Sequence, residues 1–113
     1  MLTLVCGFPH AGKTTYSKQF NNVLHLDICG RYSGVKQRIS NITDDVVVDG
    51  VYDKAEYRIE LIKAYKGIGA RCIWLNTPKD IRAQRQGYRE RKNECFEPPT
   101  YSEGWDEIEV ING

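Results

Sequence analysis

The sequence lacks a charge of one sign: 16 Lys and Arg stand against 15 Asp and Glu, a formal net charge of +1. That balance excludes a global electrostatic pull toward nucleic acid or an anionic membrane, though not a local basic groove. No apolar run approaches the ~20 residues of a membrane-spanning helix, so no membrane partner is expected. A CxxC pair is also missing. The four cysteines, Cys6, Cys29, Cys72 and Cys95, lie far apart, which argues against a structural zinc site and against a disulfide framework. Beside apolar stretches, such thiols serve as small buried hydrophobes. There is no internal repeat, low-complexity tract or linker, and 113 residues suffice for one ordinary domain. A single domain over 1–113 is the expectation. The opening Met1-Leu2-Thr3-Leu4-Val5 runs directly into the first motif and is taken as part of the fold rather than a cleaved leader, which points to a cytoplasmic protein.

What is present is an alternation of short apolar runs and helical patterns. Leu2 to Cys6 predicts a buried strand, and Lys13 to Phe20 a helix that stops before Asn21-Asn22. Val23 to Ile28 predicts a second strand carrying Asp27 near its end, followed by a short helix over Ser33 to Ser40 despite Gly34. The β-branched trio Val46-Val47-Val48 ends at Asp49-Gly50, an abrupt exit from a buried strand. Tyr57, Leu61, Ile62 and Tyr65 recur at helical spacing within Asp53 to Tyr65, with Asp53 and Glu56 spaced as a capping box and Gly67 closing the helix. Ala70 to Leu75 is a further strand. Pro78 then opens a helix predicted to reach about Lys92, with Thr77 as its cap, and Glu107 to Ile111 alternates like a last strand. Strands and helices in this order imply an α/β fold, a mostly parallel sheet of about five strands with helices on both faces.

Gly7-Phe8-Pro9-His10-Ala11-Gly12-Lys13-Thr14 has the spacing GxxxxGK[ST], after an expected strand and at the start of an expected helix. In that context the pattern is specific for triphosphate binding. Gly7 and Gly12 let the backbone approach phosphates closely. The amides of His10, Ala11, Gly12, Lys13, Thr14 and Thr15 then form a concave cradle. Lys13 reaches the β and γ phosphates of ATP (or GTP), and the Thr14 hydroxyl holds Mg²⁺. His10 is expected to shape the loop rather than to catalyse.

A phosphotransferase must also orient an acceptor hydroxyl in line with the γ phosphate. Asp27, at the carboxyl end of a neighbouring strand, is the expected base, because such ends converge on the crevice. Asp49 is the second candidate, accepting a Mg²⁺-bound water or aligning Lys13. Residues 79–92 carry six cations against two anions, a net +4. Within them Arg85 and Arg89, four residues apart on the expected helix, would neutralise charge on the transferring phosphate. Arg31 and Lys36 could contact phosphates of an extended substrate, with Tyr32 stacking on a base. Trp74 is expected in the core, and Trp105 is either a lid or a hydrophobic plug.

These residues resemble the kinase domain of the polynucleotide 5′-hydroxyl kinases. His25-Leu26-Asp27-Ile28-Cys29-Gly30-Arg31-Tyr32 is similar to the family segment bearing the general base, and Val48-Asp49-Gly50 to its second acidic strand end. Arg85-Gln86-Gly87-Tyr88-Arg89 resembles the lid, and 96–105, FEPPTYSEGW, the segment before the last strand. The resemblance implies a three-layer sandwich of P-loop NTPase type and Mg²⁺-dependent transfer of the γ phosphate of ATP to 5′-hydroxyl ends of DNA or RNA. By the same match Asp27 is the base and Arg89 contacts the donor phosphates, and the short length suits a phage-encoded form. The chain departs from the family at His25-Leu26, where an asparagine-arginine pair is usual, and in its shortened helix after Ser33 and segment after Arg89. A kinase for a nucleoside or nucleotide, and a non-catalytic ATP-binding module, are the alternatives. A domain this small can also pair with a copy of itself, although no residue pattern specifies it.

Overall fold

Leu2, Leu4 and Cys6 belong to one apolar cluster and Val5 to another, and all five residues of β1 (Leu2–Cys6) are buried. Successive strand side chains point to opposite faces, so a strand buried at every step must be covered on both sides. In the computed structural model, which describes residues 1–26, 30–90 and 95–112, β1 is the central strand. It pairs in parallel with β3 (Val46–Gly50) on one side and β4 (Ala70–Asn76) on the other. Beyond β3 lies β2 (Val23–His25), and beyond β4 lies β5 (Glu107–Asn112). The order is β2-β3-β1-β4-β5, and every pairing is parallel.

The helices are short. α1 (Lys13–Ser17) follows β1, α2 (Tyr32–Ile39) follows β2, α3 (Ala55–Ala64) follows β3 and α4 (Lys79–Ala83) follows β4. Val35 and Ile39 of α2 and Leu61 of α3 pack with Leu2, Leu4 and Val48 on one sheet face. On the other face Tyr16 and Phe20, from α1 and just after it, lie against Val5, Val47 and Ile73. The result is a three-layer α/β sandwich of P-loop kinase type. Each fully buried Leu or Val contributes about 1.5–3 kcal/mol relative to exposure.

A buried ion pair ties α3 to the segment before β5. Arg58 is completely buried; its Nε donates to Glu103 Oε1 at 2.7 Å and one terminal nitrogen to Tyr52 O at 2.7 Å. Trp105 Nε1 donates to the same Glu103 Oε1 at 3.0 Å, and Thr100 and Glu103 form a capping box around a 3₁₀ turn at Tyr101–Glu103. Trp105, 3% exposed, is therefore a plug rather than a lid. Phe96 stacks on Trp74 with centroids 5.0 Å apart. Cys6 and Cys72 are free buried thiols with sulfurs 3.7 Å apart, and Cys95 is free and exposed. Burial, reinforced by Cys72, pushes the Cys6 thiol up, which leaves it a poor nucleophile. Among the described residues no helix is long and apolar enough to cross a membrane.

Four expectations are corrected. The helix expected from Pro78 to about Lys92 ends at Ala83. Residues 84–87 are all exposed, so no apolar face holds further turns to the sheet, and Gly87 sits at φ 84°. Arg85 and Arg89 therefore share no helix face; Lys92 lies outside the described residues. α1 ends at Ser17 rather than Phe20. The expected Asp53 cap is also absent, since Lys54 occupies that position with no side-chain cap bond. Thr77 does not cap α4; its hydroxyl donates to Ala11 O at 2.8 Å.

Candidate phosphate and metal site

Gly7 leaves β1 with φ 156°, and a Cβ there would stand 2.8 Å from Leu75 O on the adjacent strand. Only glycine lets the loop turn this close to β4. Its amide donates to Val51 O at 3.3 Å. The Ala11 amide closes back on Phe8 O at 3.0 Å, and His10 (φ 69°) and Gly12 (φ 101°) both take left-handed backbone before α1 begins. The loop is braced from the β4 side. Thr77 holds Ala11 O, and buried Arg82 lies 4.9 Å over the Phe8 ring while donating to Thr77 O at 3.1 Å. Arg85 donates to His10 O. Lys13 Nζ donates to Phe8 O at 2.9 Å, which places its ammonium beside the loop backbone.

Asp49, 4% exposed, is the best-connected polar side chain of the site. Ser17 Oγ on α1 donates to Asp49 Oδ2 at 2.8 Å, and His25 Nδ1 lies 2.8 Å from both carboxylate oxygens. His25 stands directly opposite Asp49 in the β2–β3 register. Sequence reasoning missed Ser17 and His25 as members of the site. Ser17 could have been found three residues after Thr14 on a helix, hence on the same face. His25 needed the knowledge that β2 neighbours β3.

A cavity of about 840 Å³ opens at the carboxyl edge of β1 and β3. His10, Ala11, Gly12, Lys13, Thr14 and Thr15 line it from the loop, Asp49 from β3 and Arg85 from beyond α4. Gly7 is buried beneath the loop. Arg89 does not join this group; it borders a separate cavity of about 210 Å³ with Gly87 and Tyr88. Arg31, at the α2 cap, is exposed. Tyr32 and Lys36 line a third cavity, where the Tyr32 ring stacks on Tyr57 with centroids 4.2 Å apart and Lys36 Nζ is 3.7 Å from Glu60 Oε2. Asp27, the expected base, lies outside the described residues.

Among the described residues no three His, Cys, Asp or Glu side chains cluster as a metal cage. Mg²⁺ beside phosphates needs none, because one or two protein oxygens, phosphate oxygens and waters complete its shell. The exposed Thr14 hydroxyl and the Asp49 carboxylate on the same cavity fit that donor set.

Among solved structures, the chain is similar to the unliganded crystal structure of a sugar kinase from Janibacter sp. HTCC2649, with a TM-score of 0.59 and 16% identity, covering 98% of this chain and 84% of that one. Likeness at that identity establishes the fold. No protein-family model and no curated protein matches the chain.

Proposed function

We propose that the chain is a phosphotransferase that moves the γ-phosphoryl group of ATP or GTP to a hydroxyl of a small acceptor. The observation that carries the reading is the convergence of Lys13, Thr14, Asp49 and Arg85 on one cavity over a glycine-shaped loop. The loop amides and Lys13 bind the β and γ phosphates of the donor, and Arg85 faces the charge that develops during transfer. The acceptor oxygen attacks the γ phosphorus, the bond to the β–γ bridging oxygen breaks, and the nucleoside diphosphate leaves with the electron pair. The acceptor proton passes to a carboxylate, for which Asp27 is the residue proposed on its sequence position. Thr14 would hold Mg²⁺ and Asp49 would accept from one of its waters; the ion supplies charge neutralisation at the phosphate oxygens.

The small acceptor is preferred to a polynucleotide on charge. Lys36, a candidate for nucleic-acid phosphates, is paired with Glu60, and Glu56 borders the same cavity. The segment 96–105, which most distinctly resembles the polynucleotide kinases, here packs and caps: Phe96 meets Trp74, and Glu103 meets Arg58 and Trp105. Exposed Arg31 and Arg38 favour the second reading, transfer to 5′-hydroxyl ends of DNA or RNA. The deciding experiment incubates the protein with γ-labelled ATP, Mg²⁺ and a panel of sugars, nucleosides, 5′-OH DNA and 5′-OH RNA. Label on sugars or nucleosides is expected; label confined to oligonucleotides would reject the small acceptor.

A further inference from the structure

The tyrosine-lined cavity between α2 and α3 is not used by the phosphate chemistry described above, and its lining is specific enough to name a ligand. We infer that it binds the ring of an uncharged polyhydroxylated acceptor, a monosaccharide or the ribose of a nucleoside; the inference rests on the phosphotransferase reading for its role but not for its binding.

The cavity measures about 350 Å³, at the small end of the range for small-molecule sites. Its wall is aromatic and internally braced. Tyr32 stacks on Tyr57 at an interplanar angle of 11° and meets Tyr52 edge-on with centroids 4.7 Å apart. Tyr32 and Tyr57, both half-buried and held in this way with the buried Tyr52 behind them, have little side-chain freedom left to lose when a sugar ring packs against them.

Polar groups stand around that wall. Glu56 and Glu60 lie four residues apart on α3, and both border the cavity with Ser33 and Lys36. Like charges at this spacing destabilise a helix, and a single lysine, Lys36, is paired with Glu60. Glu56 makes no ion pair among the described residues. Two carboxylates against one ammonium accept hydrogen bonds from vicinal hydroxyls and repel phosphate or carboxylate groups. The chemistry therefore selects neutral rings over their phosphorylated forms.

Consecutive residues after β3 border the two cavities. Val51 lines the phosphate cavity and its neighbour Tyr52 lines this one. Both follow Gly50, where a Cβ would stand 2.8 Å from Leu26 Cβ and 3.0 Å from Tyr52 Cε2. The missing side chain at Gly50 lets the Tyr52 ring lie against the end of β3, beside Leu26.

The test measures acceptor binding apart from transfer. Neutral monosaccharides, nucleosides and their phosphates are titrated without nucleotide, following intrinsic fluorescence and heat. The same titrations are run on Glu56→Gln, Glu60→Gln and Tyr57→Leu, with thermal melts confirming that each variant folds, and acceptor KM and ATP affinity are measured in parallel. Expected are saturable binding of neutral rings, at least tenfold weaker binding of their phosphates, and at least a tenfold rise in acceptor Kd or KM in the variants with ATP affinity unchanged. Sugars binding without nucleosides, or the reverse, would name the source of the ring. Transfer with unchanged acceptor KM in all three folded variants would overturn the inference and leave the phosphotransferase reading standing. Ring binding that the variants abolish, with no transfer to any acceptor, would support the site while removing the phosphotransferase reading. No saturable binding of any neutral ring would overturn it outright.

Discussion

His25 Nδ1 lies 2.8 Å from both carboxylate oxygens of Asp49, bridging neighbouring parallel strands at the edge of the phosphate cavity. With Ser17 Oγ also donating at 2.8 Å, the carboxylate is held from two elements and its orientation is set before any ligand arrives. Were the carboxylate to hold a Mg²⁺-bound water, as proposed, it would belong to the outer shell of a metal site, where loss of a partner lowers affinity or activity about 10- to 100-fold. His25→Ala should therefore raise the Mg²⁺ concentration needed for half-maximal transfer, or lower turnover, by about that factor. An unchanged Mg²⁺ titration curve would detach Asp49 from the metal.

Lys13→Ala should reduce turnover by about 10²- to 10³-fold, the loss typical of removing one donor from a transition-state oxyanion. The folded state should persist, because Lys13 is only half-buried on the loop. Single-turnover transfer alongside a thermal melt checks both statements; a collapsed melt would make the lysine structural.

Gly7→Ala places a methyl 2.8 Å from Leu75 O in backbone that L side chains rarely adopt. Destabilisation by about 1–3 kcal/mol is expected from strain of this kind, together with weakened ATP binding. Denaturant unfolding measures the first and nucleotide titration the second. Wild-type values for both would mean that the loop relaxes without effort.

Arg85 and Arg89 should separate in their effects. Arg85 borders the phosphate cavity and donates to His10 O, whereas Arg89 borders its neighbour. Arg85→Ala is expected to slow transfer by about a hundredfold, in the range for a lost electrostatic donor. Arg89→Ala should change the rate much less. The reverse ranking in steady-state kinetics would show that the segment rearranges when nucleotide binds.

Acid should loosen the closure of the C-terminal segment. Burial by itself raises the Glu103 carboxyl, but hydrogen bonds from Arg58 and Trp105 outweigh it and hold the group below the usual carboxylate range. A carboxyl depressed in the folded state contributes stability above the unfolded value of about 4.3. That contribution is lost as pH falls through the folded value. Melting temperature should drop on acidification below about pH 4. Glu103→Gln should lack this component and start about 3–5 kcal/mol less stable, because Arg58 remains buried and unpaired. Parallel pH–melting curves for the two proteins would contradict the assignment.

The sequence by itself determined the central layer and the glycine-shaped loop that follows β1. β1, β3 and β4 each carry a run of at least three apolar residues that spans both faces, and a strand buried on both faces needs no partner information to be recognised. The loop was legible because its turns take backbone that favours glycine, φ 156° at Gly7 and φ 101° at Gly12. Tertiary structure alone decided what meets across the chain. His25 reaches Asp49 because β2 settles beside β3, Arg58 finds Glu103 45 residues away, and the tyrosines of α2, α3 and the β3 exit close on one another. Helix length was also a tertiary matter: the basic run after Pro78 has helical composition, yet its helix ends at Ala83 where no apolar face holds it to the sheet. The physical reason is common to all of these. Local patterns report what each segment must bury, whereas pairings between segments depend on the order in which strands join the sheet.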